Sequence, residues 1–384
     1  MERVATNGAA RIIDGFQVVE RTYCHDDHFP SVGLANIHAT VPGVEENKDK
    51  IFRALKVFRE FGVNIAIFPE FALSGYLWED EHACRAYMDT ALIEKHFDWI
   101  KQELWPLCTQ ELRGIILNNL TAGPDNKYLN RTIFIKPEIA DPLDPDHAYD
   151  KVFIPGIEKI YTASGTDNRM VLRSPRLEAT VGFTTCYDYL FVELLRRYAF
   201  DDQVDAIIQT ASWRGASSRE YPLMNIHTDF YYGQLWDTVM AASSAQNQLW
   251  TIAVNAVGRH DISGATFWGG SGIWAPSGIP LVQASHYLEE LLIVHNLDLK
   301  GARDFERADD DKRERERQWC VAARQLHHAV SEARQPGRDS EAGADETGYC
   351  NRPASSPGAS PRRHPRLLFS PAPEARPETP PWLR

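Results

Sequence analysis

The chain has 384 residues, 43% of them hydrophobic, with a formal net charge of −12 and a pI of about 5.6. That length supports one large α/β domain or two ordinary ones. The acidic balance offers no basic face to neutralise phosphates, which argues against a nucleic-acid binder and suits a neutral or cationic small substrate.

Residues 1–29 read as a lead segment of mixed polarity. It has no basic stretch followed by an apolar run, so no signal peptide is expected. Within it, Cys24-His-Asp-Asp-His28 resembles a metal-ligand cluster. No helix or hairpin fixes its geometry, so no metal is expected there. The six cysteines, at positions 24, 84, 108, 186, 320 and 350, form no CxxC pair and suit neither a zinc knuckle nor a disulfide framework. No apolar run reaches bilayer length, and a cytoplasmic protein without membrane partners is the expectation.

From 30 to 300, short apolar runs alternate with amphipathic stretches. Ser31–Ala39 reads as a strand. Val44–Gly62 follows as a helix, with Ile51, Leu55, Phe58 and Phe61 at helical spacing. Asn64–Phe68 is a buried strand running into Pro69-Glu70, and Ala91–Gln110 is read as a helix. Arg113–Leu120, Arg131–Lys136, Thr180–Thr185, Asp205–Gln209, Trp250–Asn255, Ser271–Trp274 and Leu291–Asn296 are further strands, with helices at Tyr189–Arg197 and Tyr231–Gln248. The alternation predicts an α/β fold with strands buried on both faces. Beyond 300 the composition changes. Residues 301–334 are densely charged, and 335–384 are rich in Pro, Arg and Ser with few large apolar residues. Such a tail buries too little surface to offset its ordering entropy, so disorder is expected. His327-His328 adjoins it and is not read as a ligand pair.

Three segments place a reactive side chain just past a predicted strand, where α/β folds collect their sites. In Phe68-Pro-Glu-Phe-Ala-Leu-Ser-Gly-Tyr76, Glu70 is a carboxylate at the end of an apolar run, suited to general-base work. It could equally cap the turn. In Tyr149-Asp-Lys-Val-Phe-Ile-Pro-Gly156, Lys151 could donate to a developing oxyanion or be an ordinary surface lysine. In Val181-Gly-Phe-Thr-Thr-Cys-Tyr-Asp-Tyr-Leu190, Cys186 sits at a strand-to-helix turn. There a helix N-terminus would favour a thiolate, and the Tyr187 N–H could serve an oxyanion. A buried structural cysteine is the bland alternative.

Taken together, in this order and at these separations, the three segments and the later Ser271–Gly278 resemble the nitrilase superfamily of carbon–nitrogen hydrolases over roughly residues 30 to 300. The resemblance implies a four-layer α-β-β-α sandwich, a homodimer or larger homo-oligomer, and no metal or organic cofactor. It maps a Glu–Lys–Cys triad onto Glu70, Lys151 and Cys186, and places Glu158 beside the lysine or the substrate nitrogen. Its implied chemistry is attack by Cys186 on an amide carbonyl, a thioester, then release by water activated at Glu70. Tyr76, Trp78 and Trp213 are candidates to line the pocket, with plain core packing as the alternative.

Cys186-Tyr-Asp looks like the amidase or carbamoylase side of the superfamily, so a small linear amide or N-carbamoyl compound is the expected substrate. The alternatives are a nitrile and, from another class, a catalytically silent scaffold. Passing the thioester to an amine is a minor variant. Two departures stand out. Val192 replaces a usual proline, and Ser243-Ser-Ala-Gln-Asn247 replaces an Arg-Ala-x-Glu-Asn pattern, so the polar contacts of that helix must differ.

Overall fold

The computed structural model describes residues 11–308, apart from 25, 77–79, 92, 167, 168, 175–178 and 222–225, together with Glu314 and Gln318. The tail, most of the charged extension and Trp78 lie outside the described residues.

The strands, in chain order, are β1 (Arg11–Ile13), β2 (Phe16–Thr22), β3 (Val32–Asn36), β4 (Ile65–Ile67), β5 (Gly114–Ala122), β6 (Tyr128–Ile135), β7 (Ala148–Asp150), β8 (Thr162–Ala163), β9 (Val171–Ser174), β10 (Ala179–Thr185), β11 (Ala206–Ala211), β12 (Arg219–Tyr221), β13 (Ile226–Thr228), β14 (Trp250–Asn255), β15 (Val257–Arg259), β16 (Thr266–Trp268), β17 (Gly272–Trp274), β18 (Pro280–Gln283) and β19 (Glu290–His295). The α-helices are α1 (Val44–Glu60), α2 (Glu81–Ala91), α3 (Ile93–Trp99), α4 (Val192–Phe200), α5 (Tyr231–Asn247) and α6 (Leu299–Ala308).

Among the described residues, one sheet runs β1-β2-β19-β3-β4-β5-β6-β7, with β8 pairing β6 off that path, and a second runs β18-β17-β14-β11-β10-β9. Side chains alternate across each strand, and here both faces are apolar. In β4, Ile65 and Ile67 enter the core between the sheets while Ala66 turns outward. In β19, Leu292 and Val294 point inward and Leu291 and Ile293 outward. The outward set of the first sheet packs on α1 through Ile51, Leu55 and Phe58. In the second sheet Val181, Phe183, Ala206 and Ile208 face the first sheet, while Ile207 and Ala253 meet Leu194, Leu195 and Tyr198 of α4 and Trp236 and Met240 of α5. Helix, sheet, sheet, helix is therefore the layer order, the four-layer α-β-β-α sandwich expected. Among the described residues, no helix is long and apolar enough to cross a membrane.

Strands β7, β8, β9, β12, β13, β15, β16 and β18 are not among those expected from the sequence, and three regions that were read fold differently. The lead segment supplies β1 and β2, and β2 runs parallel to β19 with Phe16 and Val18 buried. Its mixed polarity hid the alternation of β2, which lies between β1 and β19. The helix expected over 91–110 begins earlier, with α2 at Glu81. After α3 it passes through a π turn (Ile100–Leu104) and a 3-10 turn (Trp105–Leu107) around Pro106, because proline breaks the helical hydrogen-bond ladder. The helix expected from Tyr189 to Arg197 is split into a 3-10 turn (Cys186–Leu190) and α4.

Close packing leaves no room at Gly114 of β5, where a Cβ would stand 2.2 Å from Cε2 of Phe134. Overpacking of this kind costs about 1–3 kcal/mol. Gly114→Ala is expected to lower the urea midpoint accordingly at unchanged m-value, and an unchanged midpoint would show that the ring yields freely.

Candidate active site

Four strand ends from both sheets converge. Glu70 follows β4, Lys151 follows β7, Cys186 follows β10 and Ser212 follows β11. The two sheets are stitched together here. The Glu70 N–H donates to the Ala211 carbonyl (3.3 Å), and Ser212 Oγ donates to the Glu70 carbonyl (2.7 Å). Thr132 of β6 exchanges hydroxyl hydrogen bonds with Thr185 of β10 (3.1 Å) and Thr210 of β11 (3.2 Å).

Lys151, Glu70 and Glu158 are all 0% exposed. Lys151 Nζ donates to Glu70 Oε1 (2.8 Å) and, in a very short contact, to Glu158 Oε2. Asn130 Nδ2 donates to both carboxylates, at 2.7 Å to Glu70 and 2.8 Å to Glu158. Its own Oδ1 accepts from Asn118 Nδ2 (2.8 Å), and Asn118 Oδ1 accepts from the Phe71 N–H (2.9 Å). The Ser212 N–H donates to the second oxygen of Glu70 (2.8 Å). Every carboxylate oxygen of the pair therefore has a donor, which burial of charge requires.

Burial works to lower the Lys151 pKa, but the charges of Glu158, Glu70 and Cys186 and the hydrogen bond to Glu158 outweigh it. The net direction is up, and the lysine stays an ammonium. Glu158 is pushed up to about 7, by burial first, with Lys151 opposing and Glu70 adding to the rise.

Cys186 adopts a positive φ of 49°, a left-handed conformation that costs a non-glycine residue about 1–3 kcal/mol unless its surroundings impose it. They do. Thr185 and Asp188 form a capping box around the turn, and Gln209 Nε2 donates to the Cys186 carbonyl (2.9 Å) while Thr184 Oγ1 donates to Gln209 Oε1 (2.6 Å). Asp188 also accepts from the Phe153 N–H (2.7 Å) and the Tyr149 hydroxyl (2.7 Å). It thereby clamps the chain on either side of Lys151 to the cysteine turn. Burial pushes Asp188 up to about 6, against the pull of these donors and of Lys151.

Burial, then the Glu70 charge, pushes the Cys186 thiol well above its ordinary value; Lys151 opposes, and a hydrogen bond with Glu70 also holds the proton on sulfur. This corrects the expectation that a helix terminus would favour the thiolate. The turn after Cys186 is five residues of 3-10 helix, too short for a substantial dipole, while burial acts in full.

Cys186 is 8% exposed, and its remaining surface opens into a cavity of about 260 Å³. The pocket candidates Tyr76 and Trp213 line that cavity together with Ile157, Tyr187 and Arg214. Tyr187 is the second residue of its turn, so its N–H has no partner within the helix. Trp213 is fixed by its N–H to Asn255 Oδ1 (2.7 Å) and by its indole to the Tyr232 carbonyl (2.8 Å). Glu70, Lys151 and Glu158 are fully buried and form no part of that lining, and Trp78 lies outside the described residues. Asn130, Asn118, Ser212, Gln209 and Asp188 support the site and were not singled out from sequence. Asn118 and Asn130 sit in strands that also carry Asn119, Thr121, Arg131 and Thr132, so no sequence pattern set them apart.

The departures noted above have local solutions. Val192 opens α4 exposed to solvent. In α5, Ser244 Oγ lies within hydrogen-bond distance of the Met240 carbonyl (3.1 Å) and of Thr251 Oγ1 (2.6 Å), and Thr251 also meets the Tyr189 hydroxyl. Elsewhere, Cys24 donates to the Asn296 carbonyl (3.1 Å) and His28 pairs with Asp26.

The family model described as carbon-nitrogen hydrolase matches residues 31–307, and the chain belongs to that family. No curated protein matches the sequence significantly. Among solved structures, it is similar to a carbon-nitrogen hydrolase from Helicobacter pylori G27, at 20% identity and a TM-score of 0.58 over 74% of this chain and 94% of that one. It is also similar to a variant of the amidase from Nesterenkonia sp. AN1 that carries the acetamide moiety of fluoroacetamide covalently on its active-site cysteine, at 18% identity and a TM-score of 0.57 over 73% and 95%. A Xanthomonas campestris CN-hydrolase superfamily protein with an arsenic adduct in its active site matches at 18% and 0.56 over 73% and 94%. At these identities the likeness is one of fold.

Folded Glu158 and Asp188 both titrate above the ordinary values of 4.5 and 3.8 that they regain on unfolding. The folded state then binds more protons than the unfolded one between pH 4 and 7, and this part of the stability falls as pH rises through that window. Thermal midpoints should decline from about pH 4.5 to 7, with a shallower slope in Glu158→Gln. A slope unaltered by the substitution would contradict the assignment.

Proposed function

We propose that the chain hydrolyses a small linear amide or N-carbamoyl compound through a thioester on Cys186. The observation that carries this reading is the buried Lys151 ammonium held by the Glu70 and Glu158 carboxylates behind a cavity-facing thiol whose proton the Glu70 charge helps to hold. The covalent adduct on the cysteine of the Nesterenkonia amidase supports it by analogy.

The geometry suggests a sequence of steps. The thiol proton passes to Glu70 as sulfur bonds to the carbonyl carbon. A raised thiol pKa makes this base necessary, and it also makes the sulfur a strong nucleophile once the proton has left. The carbonyl oxygen gains charge, with the Lys151 ammonium and the Tyr187 N–H as donors. Collapse breaks the C–N bond, and Glu70 returns its proton to the departing nitrogen. Water then attacks the thioester, giving its proton to Glu70. Cleavage of the C–S bond releases the acid, and the sulfur regains the proton from Glu70. Glu158 is a positioning residue in this scheme. It shares the lysine with Glu70 and keeps the ammonium aimed. The same groups could serve a nitrile; Tyr187 and Asp188 after the cysteine favour the amide.

Cys186→Ala is expected to abolish ammonia release across amides, N-carbamoyl compounds and nitriles while preserving the melting transition. Undiminished turnover would overturn the mechanism. The protonation of Glu158 supplies a second test. Below about pH 7 the neutral acid no longer helps to hold the lysine, so kcat/KM should fall as pH drops through that value. Glu158→Gln should lower the plateau and remove this limb, and a profile of unchanged shape would exclude the role.

A further inference from the structure

We propose that a second pocket, between α3 and the outer face of β5 and β6, binds a small uncharged amide or lactam, and that its occupancy tunes the reactive site across the sheet. The tuning rests on the hydrolase reading above; the binding does not.

This pocket has a volume of about 270 Å³ and shares no lining residue with the cavity that Cys186 opens into. It has room for roughly nine waters at about 30 Å³ each, or for one molecule of about that many heavy atoms. His96 of α3 and Asn119 and Thr121 of β5 line it and are 1%, 2% and 7% exposed. Both ring nitrogens of His96, Nδ2 of Asn119 and Oγ1 of Thr121 have no hydrogen-bond partner among the described residues. Buried polar groups are nearly always satisfied, and an unmet one costs stability. Four unmet atoms on three residues around one space fit a ligand that completes them.

The same atoms define the ligand. Burial, then Lys48, pushes the His96 ring down to about 3, so it is neutral and offers one donor and one acceptor. The Asn119 amide nitrogen donates, and the Thr121 hydroxyl can do either. Arg131 also lines the pocket, but Asp150 takes its Nε (2.6 Å) and Nη2 (2.8 Å), so its charge is balanced within the fold. Ile100, Ile133 and Leu143 supply apolar wall. An uncharged molecule with a carbonyl to accept, an N–H to donate and a short hydrocarbon body matches these features together.

The pocket is tied to the reactive site through the strands it rests on. Ile115 and Leu117 of β5 face the helix layer and Ile116 faces the other sheet, so alternation puts Asn119 and Thr121 on the pocket side and Asn118 on the reactive side. Asn119 Oδ1 accepts from the Leu73 N–H (3.3 Å), in the segment that follows Glu70. Asp150, the partner of Arg131, immediately precedes Lys151. A ligand that draws on Asn119 and packs against Arg131 therefore bears on both the carboxylate and the lysine segments.

The probes are δ-valerolactam, cyclohexanone, which lacks the N–H, and piperidinium and pentanoate, which carry charge. Equilibrium binding is measured by NMR on the full chain carrying Cys186→Ala, and a crystal grown with the lactam locates it. The lactam should bind best of the four and occupy the pocket beside His96. Adding Thr121→Val should weaken it about tenfold, the loss of roughly one hydrogen bond. Adding His96→Leu should abolish binding without lowering the thermal midpoint of the free chain, because an apolar side chain leaves no nitrogen unmet. In the chain with Cys186 intact, saturating lactam should change kcat/KM for ammonia release about fivefold or more, and His96→Leu should remove that response. Ordered water alone in the pocket, equal binding of all four probes, or binding unmoved by both substitutions overturns the proposal and leaves the hydrolase reading standing. Binding at the pocket with kcat/KM unaltered overturns the tuning. Substitution-sensitive lactam binding in a chain that releases ammonia from no substrate sinks the hydrolase reading and supports the pocket.

Discussion

A lysine ammonium buried between two buried carboxylates is the constraint around which this site is organised. Each ion taken from water carries a desolvation penalty of several kcal/mol. The cluster is tolerable because Lys151, Asn130 and the Ser212 N–H together reach the oxygens of Glu70 and Glu158. Those donors come from β6, the end of β7 and the end of β11. The charged trio therefore fixes the relative position of two sheets, and the fold in turn fixes the trio.

That arrangement explains a division of labour around the thiol. An isolated cysteine pushed toward the neutral state by burial would be inert. Here the same burial that disfavours the thiolate also strengthens its coupling to the adjacent carboxylate and ammonium, because charges act more strongly where water is excluded. The sulfur keeps its proton, and the same Glu70 charge that holds it there is the acceptor the proposed reaction calls on.

Much of this was legible in the sequence. β14 matched its expected limits, and β4, β10 and α5 came close, because their apolar runs are continuous or end at distinct turns. Glu70 and Cys186 were legible because each ends an apolar run at a turn, Lys151 because it opens the stretch before a Pro-Gly turn, and Glu158 only through the resemblance to a known superfamily. The supporting amides were not legible. Asn118 and Asn130 matter through partners that the sheet brings to them from distant positions. The cysteine turn was misjudged for a related reason: one-dimensional pattern shows that a helix follows, but not that a short 3-10 turn intervenes or that the sulfur is almost entirely covered.

The clamp at Asp188 has a further consequence for how such a chain diversifies. One carboxylate ties the Phe153 amide, the Tyr149 hydroxyl and the Thr185 amide together. The lysine and cysteine walls are locked to each other, and a mutation in either disturbs both. The opposite wall, from Trp213 and Arg214 to Tyr232, carries no part of that lock. Descendants of this chain can therefore change what they accept by altering one flank, while inheriting the reactive flank intact.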